Sequence, residues 1–302
     1  MKPVRTLAAA LDEETVVLDG GLSNQLVAQG CDLSDSLWSA RLLVEEPEQI
    51  EAAHAAYVRA GARVLITSSY QATYEGFAQR GVGKEDASEL LVRSVELARR
   101  AARAGEREVW VAASVGPYGA MLADGSEYRG RYGLSVAELE RFHRPRIETL
   151  ASAAPDVLAL ETVPDTDEAE ALLRAAEGSG VPVWLSYSIE GEHTRAGQPL
   201  AEAFALAAGA DQVVAVGINC CEPGDTDRAV EIAASVTGKP VVVYPNSGEE
   251  WDATARAWRG EAAFDPARVR SWRAAGARLV GGCCRVGPDG IAELSALTAG
   301  AA

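Results

Sequence analysis

VVAVGIN at 213–219 is a short β-branched apolar run that ends on a polar residue and is followed at once by Cys220 and Cys221. Seven more runs of the same kind punctuate the chain: VVLDG at 16–20, VLITSS at 64–69, VWVAASVG at 109–116, VLALET at 157–162, VPVWLSYS at 181–188, PVVVYPN at 240–246 and RLVGGCC at 278–284. Longer segments rich in Ala, Leu, Glu and Arg lie between them. PEQIEAAHAAYVRAG is opened by Pro47 and closed by Gly61, and SELLVRSVELARRAARAG ends at Gly105. Strand and helix in strict alternation predict βαβ units with parallel strands. Eight such units in roughly 250 residues are what a TIM barrel requires. A doubly wound sheet could hold as many strands, but none here is followed by a GxGxxG turn. The expected fold class is α/β, a (β/α)8 TIM barrel. No linker or composition shift divides the chain, so residues 1–302 are expected to form a single domain.

The 302 residues carry a formal charge of -16. An acidic surface opposes binding to nucleic acid or to an anionic membrane, because a phosphate backbone needs a basic partner. No apolar run approaches the roughly 20 residues that span a bilayer, and MKPVRTLAAALDEE at the start lacks the apolar core of a signal peptide. The expectation is a soluble cytoplasmic protein acting on small molecules. The stretch PYGAMLADGSEYRGRYGLS at 117–135 does not read as a barrel unit, and a loop of that length is expected to serve as a lid or binding segment.

In a TIM barrel the active site lies at the C-terminal ends of the strands. The polar residues that fall there are Asp19, Ser68, Ser69, Ser114, Glu161, Thr162, Ser186, Ser188, Asn219, Cys220, Asn246, Ser247, Cys283 and Cys284. Nearly every strand therefore ends in a group able to bind something. The cysteines are the sharpest element. Of five, Cys31 stands alone, while Cys220 with Cys221 and Cys283 with Cys284 form adjacent pairs, which seldom bridge as disulfides. A closed barrel brings the ends of strands 6 and 8 together, since only strand 7 separates them. Three thiolates and one open position make a catalytic zinc site. Neighbours in a strand point to opposite faces, so Cys283 and Cys284 can share a metal only if the backbone turns, and Gly281 with Gly282 is expected to permit the turn. Alternation does not choose between Cys220 and Cys221. His54, His143 and His193 lack metal-ligand spacing and are expected to be solvated or satisfied structural residues, and GxSxG is absent.

Three thiolates leave zinc electron-rich and a poor Lewis acid toward carbonyls. A fourth thiol bound there loses its proton and stays nucleophilic, so the expected chemistry is attack of sulfur on an activated carbon. With a cationic methyl donor no general base is needed, only alignment of the two sulfurs with the methyl group. A closed, four-ligand metal-binding barrel without catalysis is the alternative class.

LDGGLSNQL at 18–26, DSLWSA at 35–40, SVGPYGAMLADGSEYRG at 114–130, ALET at 159–162, GINC at 217–220, VVYPNSGE at 242–249 and GARLVGGCCR at 276–285 together resemble the homocysteine S-methyltransferases. The likeness is greatest to the branch that uses S-methylmethionine, with S-adenosylmethionine as a possible second donor. It implies a zinc enzyme forming methionine from homocysteine, the homocysteine thiolate attacking the sulfonium methyl in line. Matched by position, the zinc ligands are Cys220, Cys283 and Cys284, which leaves Cys221 a neighbour. The resemblance further implies that Asp19 and Glu161 hold the substrate's amino group and that amides of the Gly20, Gly21 and Leu22 turn meet its carboxylate, with Asn219 in the same substrate set. Gln71 stands where betaine-using relatives carry tyrosine, which argues against betaine as donor, and no stretch of the chain reads as a folate or cobalamin module. Selenohomocysteine or selenocysteine would be alternative acceptors. Tyr118, Tyr128 and Trp38 are candidates to face the sulfonium.

Overall fold

The computed structural model describes residues 3–33, 39–252 and 257–299. All eight expected strands are present: β1 (Val16–Val17), β2 (Val64–Ile66), β3 (Trp110–Val115), β4 (Val157–Val163), β5 (Val183–Tyr187), β6 (Val213–Asn219), β7 (Val241–Tyr244) and β8 (Ala277–Val280). They pair in parallel and in sequence order, and β8 returns to β1 through Val16 with Leu279 and Val17 with Val280. A bridge from Leu18 to Val64 joins β1 to β2 and closes the ring. The helices Pro47–Arg59, Lys84–Arg103, Val136–Ser152, Thr166–Ala176, Leu200–Ala208, Thr226–Thr237, Val269–Ala274 and Pro288–Ala299 surround it. The second of these starts before the SELLV run, at the Gly83 cap, because Lys84, Glu85 and Asp86 form its exposed first turn. Among the described residues no helix is long and apolar enough to cross a membrane.

Period-two alternation sorts the strand residues into two buried layers. Val16, Leu18, Val64, Trp110, Ala112, Val157, Ala159, Trp184, Ala215, Val242 and Leu279 fill the barrel. Val17, Leu65, Val111, Leu158, Leu185, Val216, Val243 and Val280 pack outward against the helices. Two fully buried tryptophans face small neighbours at Ala112, Ala159 and Ala215, so large and small side chains share one cross-section.

Two features were not expected. Short antiparallel hairpins follow β5 (Ile189–Glu190 with His193–Thr194) and β7 (Glu250–Asp252 with Ala257–Arg259). The N-terminal segment forms a helix, Leu7–Glu13, capped by the Thr6 hydroxyl, and its Leu7, Ala10 and Leu11 join the barrel's inner cluster. The apolar residues at i, i+3 and i+4 behind a threonine cap carry that signal in the sequence. The Trp110 indole N–H donates to the Arg5 carbonyl at 3.1 Å, tying this plug to β3. Truncating Leu11, which is 1% exposed, to alanine is expected to cost about 2–5 kcal/mol, read as a lower denaturant midpoint with unchanged slope.

Candidate metal and substrate centre

The mouth of the barrel gathers three of the five cysteines. One ligand atom each from Cys220, Cys283 and Cys284 lies within 4.8 Å of the others. Cys220 Sγ is 2.7 Å from Cys283 Sγ and 3.9 Å from Cys284 Sγ, and all are free thiols. Hydrogen bonds from Cys220 and Cys283 hold the Cys284 thiol well below its ordinary range, while its bonds to Cys220 and Cys284, together with burial, push Cys283 up. Three sulfurs this close cannot all ionise without a cation between them. A soft divalent ion removes that penalty, so the donor set fits a metal of thiolate preference.

Backbone strain decides which cysteines meet. Cys220 adopts φ +49°, a left-handed conformation uncommon for a residue with a side chain, immediately after β6. That twist breaks the alternation: Asn219 points into the barrel, Cys220 turns toward the ends of β7 and β8, and Cys221 is fully buried in the outer apolar layer. On the β8 side the expected reason for the glycines needs correction. Neither Gly281 nor Gly282 has positive φ; the turn is made at Arg285, with φ +67° and the Val286 N–H donating to the Cys283 carbonyl. The glycines serve close approach instead. A Cβ on Gly281 would lie 2.6 Å from Leu18 Cβ, and one on Gly282 would lie 2.3 Å from Val286 Cβ. Cys283 N–H donates to the Pro245 carbonyl at 2.7 Å and Cys284 N–H to Asn246 Oδ1 at 3.2 Å, so the segment that follows β7 fixes both.

Two carboxylates lie at the same mouth. Asp19 Oδ2 accepts from the Ile66 N–H at 2.9 Å, whereas its Oδ1 is buried with no partner among the described residues. Burial pushes its carboxyl well above the usual range, with the charge of Glu161 adding to it. Glu161 accepts from the Ser114 hydroxyl and, at 2.9 Å, from Tyr244 OH; burial raises it to about 7 against those two bonds. It is a barrel-interior group and not a helix-terminal carboxylate. Gly21 N–H donates to the Val286 carbonyl, and Tyr57 OH donates to Gly21 O at 2.9 Å, so the Gly20–Leu22 turn is pinned against the β8 turn. Tyr57, on the helix Pro47–Arg59, was not anticipated.

Asn219 is placed differently from a substrate ligand. Its Oδ1 accepts from Thr162 N–H (2.7 Å) and Ser186 OH (2.8 Å), and its Nδ2 donates to Thr162 Oγ1 (2.8 Å). Thr162 has φ +59°, so this amide holds a strained residue directly beyond Glu161. The rim serines likewise wire the barrel together: Ser69 OH donates to the Ser114 carbonyl, Ser186 bonds Tyr244, and Ser188 OH donates to the Cys220 carbonyl.

The 117–135 stretch folds into a helix, Tyr118–Leu122, and a 3-10 turn, Ser126–Tyr128, which bring it to the mouth. Tyr128 OH lies 3.9 Å from Cys220 Sγ. Gln71 Nε2 donates to Ala120 O at 3.2 Å, so this side chain tethers the stretch. Tyr118 N–H donates to Glu168 and Arg131 N–H to Asp165, which anchor both ends. The Tyr118 ring stacks with Tyr132 and Phe142, 5.2 and 4.9 Å away. Trp38 lies outside the described residues. His143 is buried between Glu168 and Arg146, and His193 is exposed. His54 departs from expectation: both ring nitrogens are buried without partners among the described residues, and burial holds it neutral, near 4.

The geometry separates adjacent cysteines by role. Cys220→Ser is expected to lower bound metal sharply, whereas Cys221→Ala is expected to retain it and lose stability on the order of 1 kcal/mol. Metal content by mass spectrometry and thermal melting check both.

The family model described as homocysteine S-methyltransferase matches residues 16–298. The Escherichia coli (strain K12) homocysteine S-methyltransferase is 48% identical, covering 96% of this chain and 97% of its own. Homocysteine S-methyltransferase YbgG of Bacillus subtilis (strain 168) is 44% identical, covering 93% of each. The crystal structure of the E. coli homocysteine methyltransferase MmuM in its metallated form aligns with TM-score 0.87 at 46% identity, over 96% of this chain and 98% of that one. A methyltransferase from Methanosarcina mazei, at TM-score 0.62 and 12% identity, shares the fold. These likenesses run through every strand of the barrel and both cysteine-bearing ends, and the chain belongs to the homocysteine S-methyltransferase family.

Proposed function

We propose that this methyltransferase uses S-methylmethionine, and S-adenosylmethionine as a second donor, to methylate homocysteine with zinc held by Cys220, Cys283 and Cys284. The observation that carries the reading is the cluster of three thiols beside a buried, unpartnered Asp19 Oδ1. Zinc in a three-thiolate site lowers the pKa of an added thiol while leaving its sulfur nucleophilic. The chain's own residues supply the rest. Asp19 Oδ1 is oriented to accept a hydrogen bond from the homocysteine ammonium, and Glu161, held by Ser114 and Tyr244, adds the second negative group. Both carboxyls are raised by burial, so a cation arriving there favours their ionised forms. The Gly20–Leu22 turn would meet the carboxylate. Asn219 holds Thr162 through its amide oxygen and one N–H.

In the transfer a new carbon–sulfur bond forms to homocysteine as the donor's methyl–sulfonium bond breaks. The bonding pair stays on the donor sulfur, so S-methylmethionine and homocysteine give two methionines. A non-catalytic metal-storage role does not fit the family to which the chain belongs.

The experiment is methionine formation by zinc-loaded protein from homocysteine with each donor in turn. S-methylmethionine is expected to be the best donor, and a chelator is expected to abolish turnover. Methionine formation that persists in metal-free protein would overturn the zinc reading, and absence of turnover with either sulfonium would overturn the donor reading. Asp19→Asn is expected to raise the homocysteine KM about 10- to 100-fold, the cost of removing a charged hydrogen-bond acceptor from a buried site. A change confined to the donor KM would contradict that assignment.

A further inference from the structure

Glu127 is a carboxylate at the barrel mouth that the preceding account leaves without work. It sits in the 3-10 turn Ser126–Tyr128, next to the tyrosine whose hydroxyl approaches Cys220. It is 8% exposed, and its Oε2 is buried with no hydrogen-bond partner among the described residues. Arg129, whose charge reaches it, is 67% exposed and pairs with Asp124 at 3.7 Å. The buried Oε2 of Glu127 and the approach of the adjoining Tyr128 to Cys220 put the carboxylate in the shielded part of the turn, near enough for its charge to bear on Cys284 and Tyr70. Its position is built. The Gly119 backbone packs so closely that a Cβ there would lie 2.4 Å from Glu127 N, and Gln71 holds the adjoining Ala120. A buried carboxylate with an idle oxygen is costly unless a cation completes it.

We propose that Glu127 binds the α-ammonium of the amino-acid methyl donor, forming a donor subsite at the turn that brings Tyr128 to Cys220. This rests on the sulfonium-donor reading given above. A donor of the methionine type carries two positive centres, ammonium and sulfonium, and electrostatics chooses between them. Methyl transfer converts the sulfonium to a neutral thioether, so a carboxylate held against that sulfur would stabilise the ground state more than the transition state and slow the reaction. The ammonium keeps its charge throughout, so a carboxylate there tightens binding without opposing the chemistry. Glu127 is thereby a donor-binding residue whose loss is felt in KM.

The test pairs the isosteric substitution Glu127→Gln with a donor that lacks the amino group, (3-carboxypropyl)dimethylsulfonium. The wild-type protein is expected to prefer S-methylmethionine over this analogue about 10- to 100-fold in kcat/KM, the usual worth of a charge-assisted hydrogen bond. Glu127→Gln is expected to raise the S-methylmethionine KM by a similar factor, to leave kcat and the homocysteine KM near wild type, and to erase the preference. Titration calorimetry of the zinc-loaded protein without homocysteine is expected to show the same loss in donor Kd, at unchanged metal content and melting temperature. Undiminished preference in Glu127→Gln, a shift in the homocysteine KM instead, or a fall in kcat alone would each overturn the proposal. Failure of the wild-type protein to use any sulfonium donor would overturn the donor reading itself, a different and separately visible result.

Discussion

Three sulfur atoms within 4.8 Å of one another, drawn from positions more than sixty residues apart in the chain, are the constraint on which the mouth of this barrel depends. Thiolates at that spacing repel, and burial penalises each further. The arrangement is therefore unfavourable without a cation, and the protein holds it by other means. Closure of the ring brings β6 and β8 to either side of β7, and the segment just beyond β7 supplies the Pro245 carbonyl and the Asn246 side chain that fix Cys283 and Cys284.

The strain in the backbone clusters at the same place. Thr162, Cys220 and Arg285 all have positive φ, and each follows the end of a strand or overlaps it. Left-handed backbone is costly for residues with side chains and persists where surrounding bonds overdetermine it. Asn219 does so for Thr162 through both ends of its amide, and the Cys220 carbonyl is held by Ser188. Rim polar groups thus divide between those that brace the site, such as Ser114, Ser186 and Asn219, and those left with unspent capacity among the described residues, which include Ser68, Ser126 and the carboxylates Asp19 and Glu127. The two carboxylates are the members able to meet a cation, in a site whose ligands carry ammonium groups.

The segment after β3 couples the site to the outer helices. Its ends are anchored on Glu168 and Asp165, the first of which also bonds His143 in a fully buried cluster with Arg146. This footing is remote from the thiols yet sets the position of Glu127 and Tyr128 above them.

Local sequence determined a good deal about this protein. Eight apolar runs in alternation with helical segments specify a parallel closed sheet, because period-two patterning and helix-period patterning leave few other ways to bury both. Paired cysteines at two strand ends marked a shared centre, and the family pattern chose Cys220. Other features required the folded molecule. Whether Cys220 or Cys221 faces the mouth depends on a single left-handed φ, which alternation does not encode. Gly281 and Gly282 read as turn formers but are needed for close contact with Leu18 and Val286, partners that only the closed ring supplies. Asn219 read as a ligand, yet three of its amide's hydrogen bonds go to Thr162 and Ser186 on neighbouring strands. Whether a polar atom is spent or free is a property of three-dimensional neighbours, and that distinction, which marks the carboxylates Asp19 and Glu127, was decided by tertiary structure alone.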